Sequence, residues 1–265
     1  SLDVEVILCS VVGDDEGAKD VVKLMEKKNL VKDGIISSSN RKTSIKTRVI
    51  GNNQHLLRID DEEIKPLNSS EEDELLEKIE GFIQGGLDAI ILEDYNKGVL
   101  TPRVIQEVIK LANENKIIIT VDPKKENFLS YKNVSLFKPN LKELQEGLKV
   151  DIEIGEDNST FEEAVGKLES ILNNQFTFVT LSEHGVFIKD DKSKYYVPAH
   201  VRNISDVSGA GDTVIAVITL CLTVGMDAHQ AAKIANLSGG LVCEVSGVVP
   251  IDKGLLIREL DNIVL

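Results

Sequence analysis

Short apolar runs alternating with helix-like stretches set the tightest limit on what this chain can fold into. Ala89-Ile90-Ile91-Leu92, Ile117-Ile118-Ile119-Thr120-Val121, Val134–Phe137 and Phe176–Leu181 are nearly unbroken apolar segments. Continuous runs of that length are expected for strands covered on both faces, as in parallel sheets. Between and around them lie stretches that read as helices: 16–28, 101–115 with Pro102 at the first helical position, 161–172, 210–224 and 228–245. Val4–Cys9 reads as a further strand at the start of the chain. The pattern predicts an α/β fold, a doubly wound and mostly parallel sheet.

Two regions depart from the alternation. Residues 43–51 and 54–60 are adjacent β-prone runs separated by Asn52-Asn53, which predicts an antiparallel hairpin, a small β lid spanning 43–60. Gly185–Lys189 and Lys194–Val201 form a second all-β patch ahead of the last two long helices. With no repeat and no low-complexity linker, a single domain over 1–265 carrying this lid is the simplest organisation. The chain opens within three residues of a buried-looking strand that lacks a preceding β-α unit, so an N-terminal segment is expected to be missing.

Composition narrows the function classes. The formal net charge is −14, from 30 basic and 44 acidic residues among 265. Such a field repels phosphate backbones and argues against nucleic-acid partners, while helix termini and a few lysines can still reverse it inside a cleft. No apolar run reaches the roughly 18–20 residues of a membrane span, and the N-terminus lacks a basic signal-peptide region. Cys9, Cys221 and Cys243 show no C-x-x-C spacing and read as small buried hydrophobes. The four histidines form no i,i+4 pair, so a zinc site of the H-E-x-x-H kind is absent. A cytoplasmic protein without membrane partners is expected.

The strongest chemical signal is Asp206-Val207-Ser208-Gly209-Ala210-Gly211-Asp212-Thr213, directly before the apolar run Val214–Leu222. Small residues at 209–211 allow close backbone approach, and first-turn N–H groups have no intrahelical acceptor. Together they suit an anion hole for a phosphoryl group, with Asp212 placed to accept a proton from an attacking hydroxyl. Ser208 as an N-cap and Asp212 as an ordinary first-turn acid explain the same residues. The second signal is Asn140-x-x-Glu143 after a strand. It reads as a capping box, or as an amide and a carboxylate able to hold hydrated Mg²⁺ beside nucleotide phosphates. Charged groups also follow two other apolar strands, at Glu93-Asp94-Tyr95-Asn96-Lys97-Gly98 and Asp122-Pro123-Lys124.

In combination these residues resemble the ribokinase-like (PfkB) carbohydrate kinases, from residue 1 to about 250. Gly209-Ala210-Gly211-Asp212 looks like that family's C-terminal signature, paired with an Asn-x-x-Glu roughly 70 residues upstream. Thr47–Ile50, Leu57–Asp60, Asp94–Gly98, Val121–Lys124 and Lys138–Asn140 look most like the heptose 7-phosphate kinases, the kinase half of bifunctional ADP-heptose synthases.

The resemblance implies ATP and Mg²⁺ as cofactors and phosphorylation of D-glycero-D-manno-heptose 7-phosphate at O1 to the 1,7-bisphosphate. It implies Asp212 as catalytic base, with the amides of Gly209, Ala210 and Gly211 as the anion hole. Asn140 and Glu143 would organise the metal, through water, and the phosphates. Thr180, Ser182, Gly185 and Asn236 would line the nucleotide site, and Arg48, Arg58, Asp94 and Lys97 would contact the sugar phosphate. Edge-to-edge pairing of the lid gives a homodimer as the expected assembly. Departures are the family's N-terminal Gly-Gly sugar-binding motif, absent here, and Glu93 and Asn96 where smaller residues are expected. The nucleotidyltransferase half has no counterpart, so no cytidylyl or adenylyl transfer is expected. Rival readings are a kinase of another sugar or nucleoside and a non-catalytic nucleotide or sugar sensor. A Rossmann dehydrogenase is disfavoured, because Gly13-Asp14-Asp15-Glu16-Gly17 is acidic where pyrophosphate would sit.

Overall fold

A computed structural model describes residues 1–51, 54–200 and 202–262. The expected hairpin tip Asn52-Asn53 and the end of the 194–201 strand at Val201 lie outside the described residues. The chain divides into two compact units: Ser1–Asp3, Leu87–Tyr95 and Ile109–Leu265 in the first, Val4–Gly86 and Asn96–Val108 in the second.

The second unit begins with β1 (Ser10–Gly13), α1 (Glu16–Lys27) and β2 (Ile35–Ser38), the two strands pairing in parallel. The strand expected at 4–9 is therefore displaced. Val4, Val6 and Leu8 are exposed, Ile7 makes only an isolated bridge to Val31, and the ladder starts at Ser10. Alternate side chains facing solvent leave that segment nothing to pack against. The same exposure pattern corrects the reading of the cysteines: Cys221 and Cys243 are buried, but Cys9 is only partly so.

β3 (Ile45–Gly51) and β4 (Gln54–Asp61) form the expected antiparallel hairpin. Its register puts Ile45, Thr47 and Val49 on one face with Leu57 and Ile59, and Lys46 and Arg48 on the other with Arg58 and Asp60. α2 (Ser69–Gln84), for which the sequence reading made no assignment, starts at a reciprocal cap in which Asn68 and Glu71 satisfy each other's backbone N–H groups.

The first unit is a six-stranded sheet in the order β10-β9-β8-β7-β6-β5. β5 (Ala89–Glu93), β6 (Ile118–Asp122), β7 (Leu136–Phe137) and β8 (Phe176–Thr180) are mutually parallel. β9 (Val186–Lys189) and β10 (Lys194–Val197) add antiparallel strands. β10 stops at Pro198, which has no N–H to extend the ladder. β5 is an outer strand among the described residues and Ile91 is 36% exposed, so this run is not covered on both faces as expected.

Helices α3 (Pro102–Glu114), α4 (Leu141–Leu148) and α5 (Ser159–Leu172) connect the strands, and α6 (Ala210–Thr223), α7 (Ala228–Cys243) and α8 (Lys253–Asn262) follow them. α6 and α7 pack on the sheet through a core containing Leu136, Phe178, Ile188, Ile215, Ile218 and Ala235. A buried hydrogen bond of 2.7 Å between the hydroxyls of Thr120 on β6 and Thr219 on α6 fixes where that helix lies. No helix among the described residues is long and apolar enough to cross a membrane.

Candidate active site

Parallel strands deliver the residues that follow them to one edge of a sheet. β5 ends on Glu93 and β6 on Asp122, and the register places these two opposite each other. The Asp94 N–H donates to the Asp122 carbonyl at 3.0 Å, extending the pairing one residue further. Lys138 follows β7, buried to 3% exposure, with its Nζ 2.9 Å from Asp122 Oδ2. Asn140 and Thr180 form a parallel bridge beyond the ends of β7 and β8. This is the carboxyl edge at which open α/β sheets bind ligands.

α6 brings its N-terminus to the same edge. Gly209 occupies the N-cap in a left-handed conformation, φ 83°, which a glycine adopts without strain; no side chain caps the helix, so Ser208 does not serve as the cap. A Cβ built at Gly211 would sit 3.6 Å from Asp122 Oδ2 and 3.7 Å from Lys138 Nζ. Of the three expected anion-hole amides, that of Ala210 donates to the Val207 carbonyl at 3.3 Å. The N–H groups of Gly211 and Asp212 lie in the first turn, where a helix offers no acceptor. Asp206 clamps the approach: one carboxylate oxygen accepts from Ser208 N–H at 2.9 Å, the other from Gly247 N–H at 3.0 Å.

Three carboxylates converge here. Glu93, Asp122 and Asp212 each offer an oxygen within 4.8 Å of the other two. Burial pushes the Glu93 carboxyl up to about 8, and the negative charges of Asp122 and Asp212 add to it, while Lys138 and Lys124 offset only part. The Tyr95 phenol is raised as well, first by burial and then by Asp212 and Glu93, and its hydroxyl donates to the Asp212 carboxylate.

The site fits a divalent cation. Asp122 Oδ1 is buried and accepts no hydrogen bond, and carboxylate oxygens are the hard donors that Mg²⁺ takes. Asn140 and Glu143 are less free than their spacing suggested. They form the reciprocal cap of α4, with Glu143 N–H on Asn140 Oδ1 at 2.8 Å and Asn140 N–H on Glu143 Oε2 at 2.9 Å. Glu143 Oε1 also accepts from Lys124 Nζ. The capping-box reading therefore holds, and a contribution to a metal would run through water.

The remaining expected residues sort by unit. Thr180 ends β8, and Ser182 (φ 53°) and Gly185 (φ 88°) shape the tight turn into β9; a Cβ at Gly185 would strike the Val197 carbonyl at 2.1 Å, so the turn itself demands that glycine. Asn236 on α7 donates to the Pro198 carbonyl at 2.9 Å. Asp94 is 4% exposed and accepts from the Tyr131 hydroxyl at 2.6 Å and from Asn127 at 3.2 Å. In the second unit Lys97 pairs with Glu62 at 2.5 Å, and Arg48 stands directly opposite Arg58, which is held by Asp60 at 3.0 Å.

Charged groups past these strand ends are visible in the sequence, whereas the meeting of Glu93, Asp122 and Asp212 is not. The available signal is the charged residue closing each of two apolar strands.

The chain is similar to known proteins over most of its length. Residues 1–253 match the model of the pfkB family carbohydrate kinases. The chain is 37% identical over 242 residues to the bifunctional protein HldE of Sulfurimonas denitrificans and 36% to that of Helicobacter pylori strain G27. These alignments cover 91% of this chain and 50% and 51% of the relatives, so the chain spans about half the length of the curated proteins it matches. Among solved structures, phosphofructokinase-2 from Escherichia coli superposes with a TM-score of 0.80 at 16% identity, over 97% of this chain and 82% of that one. The Arabidopsis thaliana ribokinase complexed with ribose and ATP gives 0.73 at 16% identity, over 96% and 81%. With a family match over residues 1–253 and relatives more than a third identical over 91% of its length, the chain belongs to the pfkB family of carbohydrate kinases.

Proposed function

We propose that the chain catalyses ATP-dependent phosphorylation of a sugar phosphate, D-glycero-D-manno-heptose 7-phosphate at O1, to give the 1,7-bisphosphate. The observation carrying this reading is the convergence of Asp212 with the free first-turn amides of α6 and the buried Lys138–Asp122 pair. The acceptor follows from the motifs around Arg48, Arg58, Asp94 and Asp122, which are similar to those of heptose 7-phosphate kinases. A product of that kind would feed the making of an activated heptose for a lipopolysaccharide core, in the cytoplasm.

In this mechanism the acceptor hydroxyl gives its proton to Asp212, and its oxygen attacks the terminal phosphorus in line as ADP leaves. Proton removal by a positioned carboxylate contributes about 10²–10⁴ in rate. The Tyr95 hydroxyl orients that carboxylate. The amides of Gly209 and Gly211, with the α6 dipole, and the Lys138 ammonium meet the charge on the transferring group, while the Ala210 amide is engaged by the Val207 carbonyl, so catalysis is mostly positioning and electrostatics. Mg²⁺, when bound, supplies neutralisation of the phosphate charge; Asn140 and Glu143 would hold it through water, with Asp122 Oδ1 as the unengaged acceptor nearby. Thr180, Ser182, Gly185 and Asn236 serve the nucleotide. Arg48 and Arg58, with Lys97 and Asp94, serve the acceptor. Like charges opposite one another on a hairpin repel, and an acceptor phosphate would relieve the Arg48–Arg58 pair. The apolar face carrying Val49, Leu57 and Ile59 is exposed and supports a homodimer formed through the hairpin.

The test is ADP release measured across a panel of sugars and sugar phosphates. Stimulation by the heptose 7-phosphate is expected, and Asp212→Asn should abolish it while ATP affinity stays within a few fold. Stimulation by another sugar alone would replace the acceptor. Near-normal turnover in the variant would remove Asp212 as base.

A further inference from the structure

We propose that Tyr131 and Asn127 are positioning residues for phosphoryl transfer: through the buried Asp94 carboxylate they hold the end of β5 so that the Tyr95 hydroxyl meets Asp212, a role that rests on the reading of Asp212 as base. Asp94 stands between Glu93, which closes β5, and Tyr95. It is 4% exposed, and its Oδ2 accepts from the Tyr131 hydroxyl at 2.6 Å and from the Asn127 side-chain amide at 3.2 Å. Its N–H donates to the Asp122 carbonyl at 3.0 Å. One residue is thus tied by its backbone to the end of β6 and by its side chain to the connection between β6 and β7.

Burial decides which partner sets the position of the other. Tyr131 is fully enclosed, its ring centroid 6.2 Å from that of Phe137 on β7, and Phe137 in turn meets Phe128 edge-on at 5.1 Å. A phenol seated in that aromatic group does not follow Asp94. Asp94 comes to it, because a carboxylate taken out of water is costly unless donors meet it. Burial, and then the Asp94 charge, push the Tyr131 phenol upward, so at neutral pH it stays a donor. Tyr95 is the opposite case. It is 51% exposed, so packing does not fix its ring, yet its hydroxyl donates to the Asp212 carboxylate. What places it is the backbone from which it hangs, and Asp94 is the adjoining anchor. A small rotation there is magnified at the far end of a tyrosine ring, and a proton acceptor works only within hydrogen-bond reach of its donor.

The experiment follows the hydroxyl-bearing ring carbon of the four tyrosines by NMR in chain labelled with ¹³C-tyrosine, the Tyr95 signal being assigned with Tyr95→Phe. Asp212→Ala is expected to shift that signal. Tyr131→Phe, which deletes only a hydroxyl, should shift it in the same direction by at least half as much, and Asn127→Ala by less. In turnover, Tyr131→Phe should lower kcat about tenfold with the KM for ATP within twofold, and in a Tyr95→Phe background it should lower kcat no further. Thermal melts check that each variant is folded; should Tyr131→Phe fail to fold, Asn127→Ala, at a partly exposed position, carries the same test. A Tyr95 signal that ignores Asp212→Ala, or that ignores both Tyr131→Phe and Asn127→Ala, overturns the proposal, as do kcat losses that multiply in the double variant. Because the carbon signal involves no turnover, its failure in an enzyme that still depends on Asp212 leaves the kinase reading standing, and a shifted signal in an inactive protein leaves the coupling of Tyr131 to Tyr95 standing.

Discussion

The strand-end carboxylates and the β3–β4 hairpin both gather charged side chains, and they are held by opposite means. At the strand ends, Asp122 closes β6 and Lys138 follows β7, both almost wholly buried, in a sheet that contributes Leu136 and Phe178 to a large core. The hairpin is held by its own cross-strand pairs, and Val49, Leu57 and Ile59 all keep more than two fifths of their surface exposed. Groups that must be placed to a fraction of an ångström are carried by the rigid element. The groups proposed to meet the acceptor are carried by an element with little to anchor it.

Substitutions can break that contrast. The largest effect is expected in the core: Phe178→Ala should lower unfolding free energy in urea by about 3–5 kcal/mol and take turnover with it, since the same sheet positions the carboxylates. A loss below 1 kcal/mol would mean that the sheet does not set the site. Next is pH. With Glu93 raised to about 8 when folded and near 4.5 when unfolded, the native state holds a proton that the unfolded state has lost between those values. Stability should therefore fall as pH rises from 4.5 to 8 and level off above, by roughly 2–4 kcal/mol from this group. Measured in chelator, Glu93→Gln should flatten that slope; an unchanged slope would place its origin elsewhere.

Smaller effects belong to the hairpin. Arg58→Ala removes one of two opposed cations, so its fold stability should change by less than about 1 kcal/mol. Its KM for the phosphorylated acceptor should rise at least tenfold with kcat nearly kept, and a selective fall in kcat would move Arg58 into the chemistry. Leu57→Ala should cost less than about 0.5 kcal/mol in a monomer. A larger loss that grows with protein concentration would show that a second copy covers this face.

The same contrast explains what could be read in the sequence. Unbroken apolar runs marked β5, β6 and β8, and the glycine-rich turn marked the head of α6, because burial and backbone demands are local. The hairpin was legible from two adjacent β-prone runs. The first strand was misplaced because Val4, Val6 and Leu8 have strand composition with no neighbour to bury them. The carboxylate cluster stayed hidden because tertiary structure makes it: parallel register brings Glu93 opposite Asp122, and the packing of α6 brings Asp212 to both. Asn140 and Glu143 show the reverse: their spacing was visible, but the cap that engages them left open what else they do.

Asp206 has a mechanical consequence. By grasping Ser208 with one oxygen and Gly247 with the other, it yokes two loops that are far apart in the chain. The turn leading into α6 and the segment after α7 should therefore loosen or tighten as one body, so that a ligand settling on either is felt at once by the other.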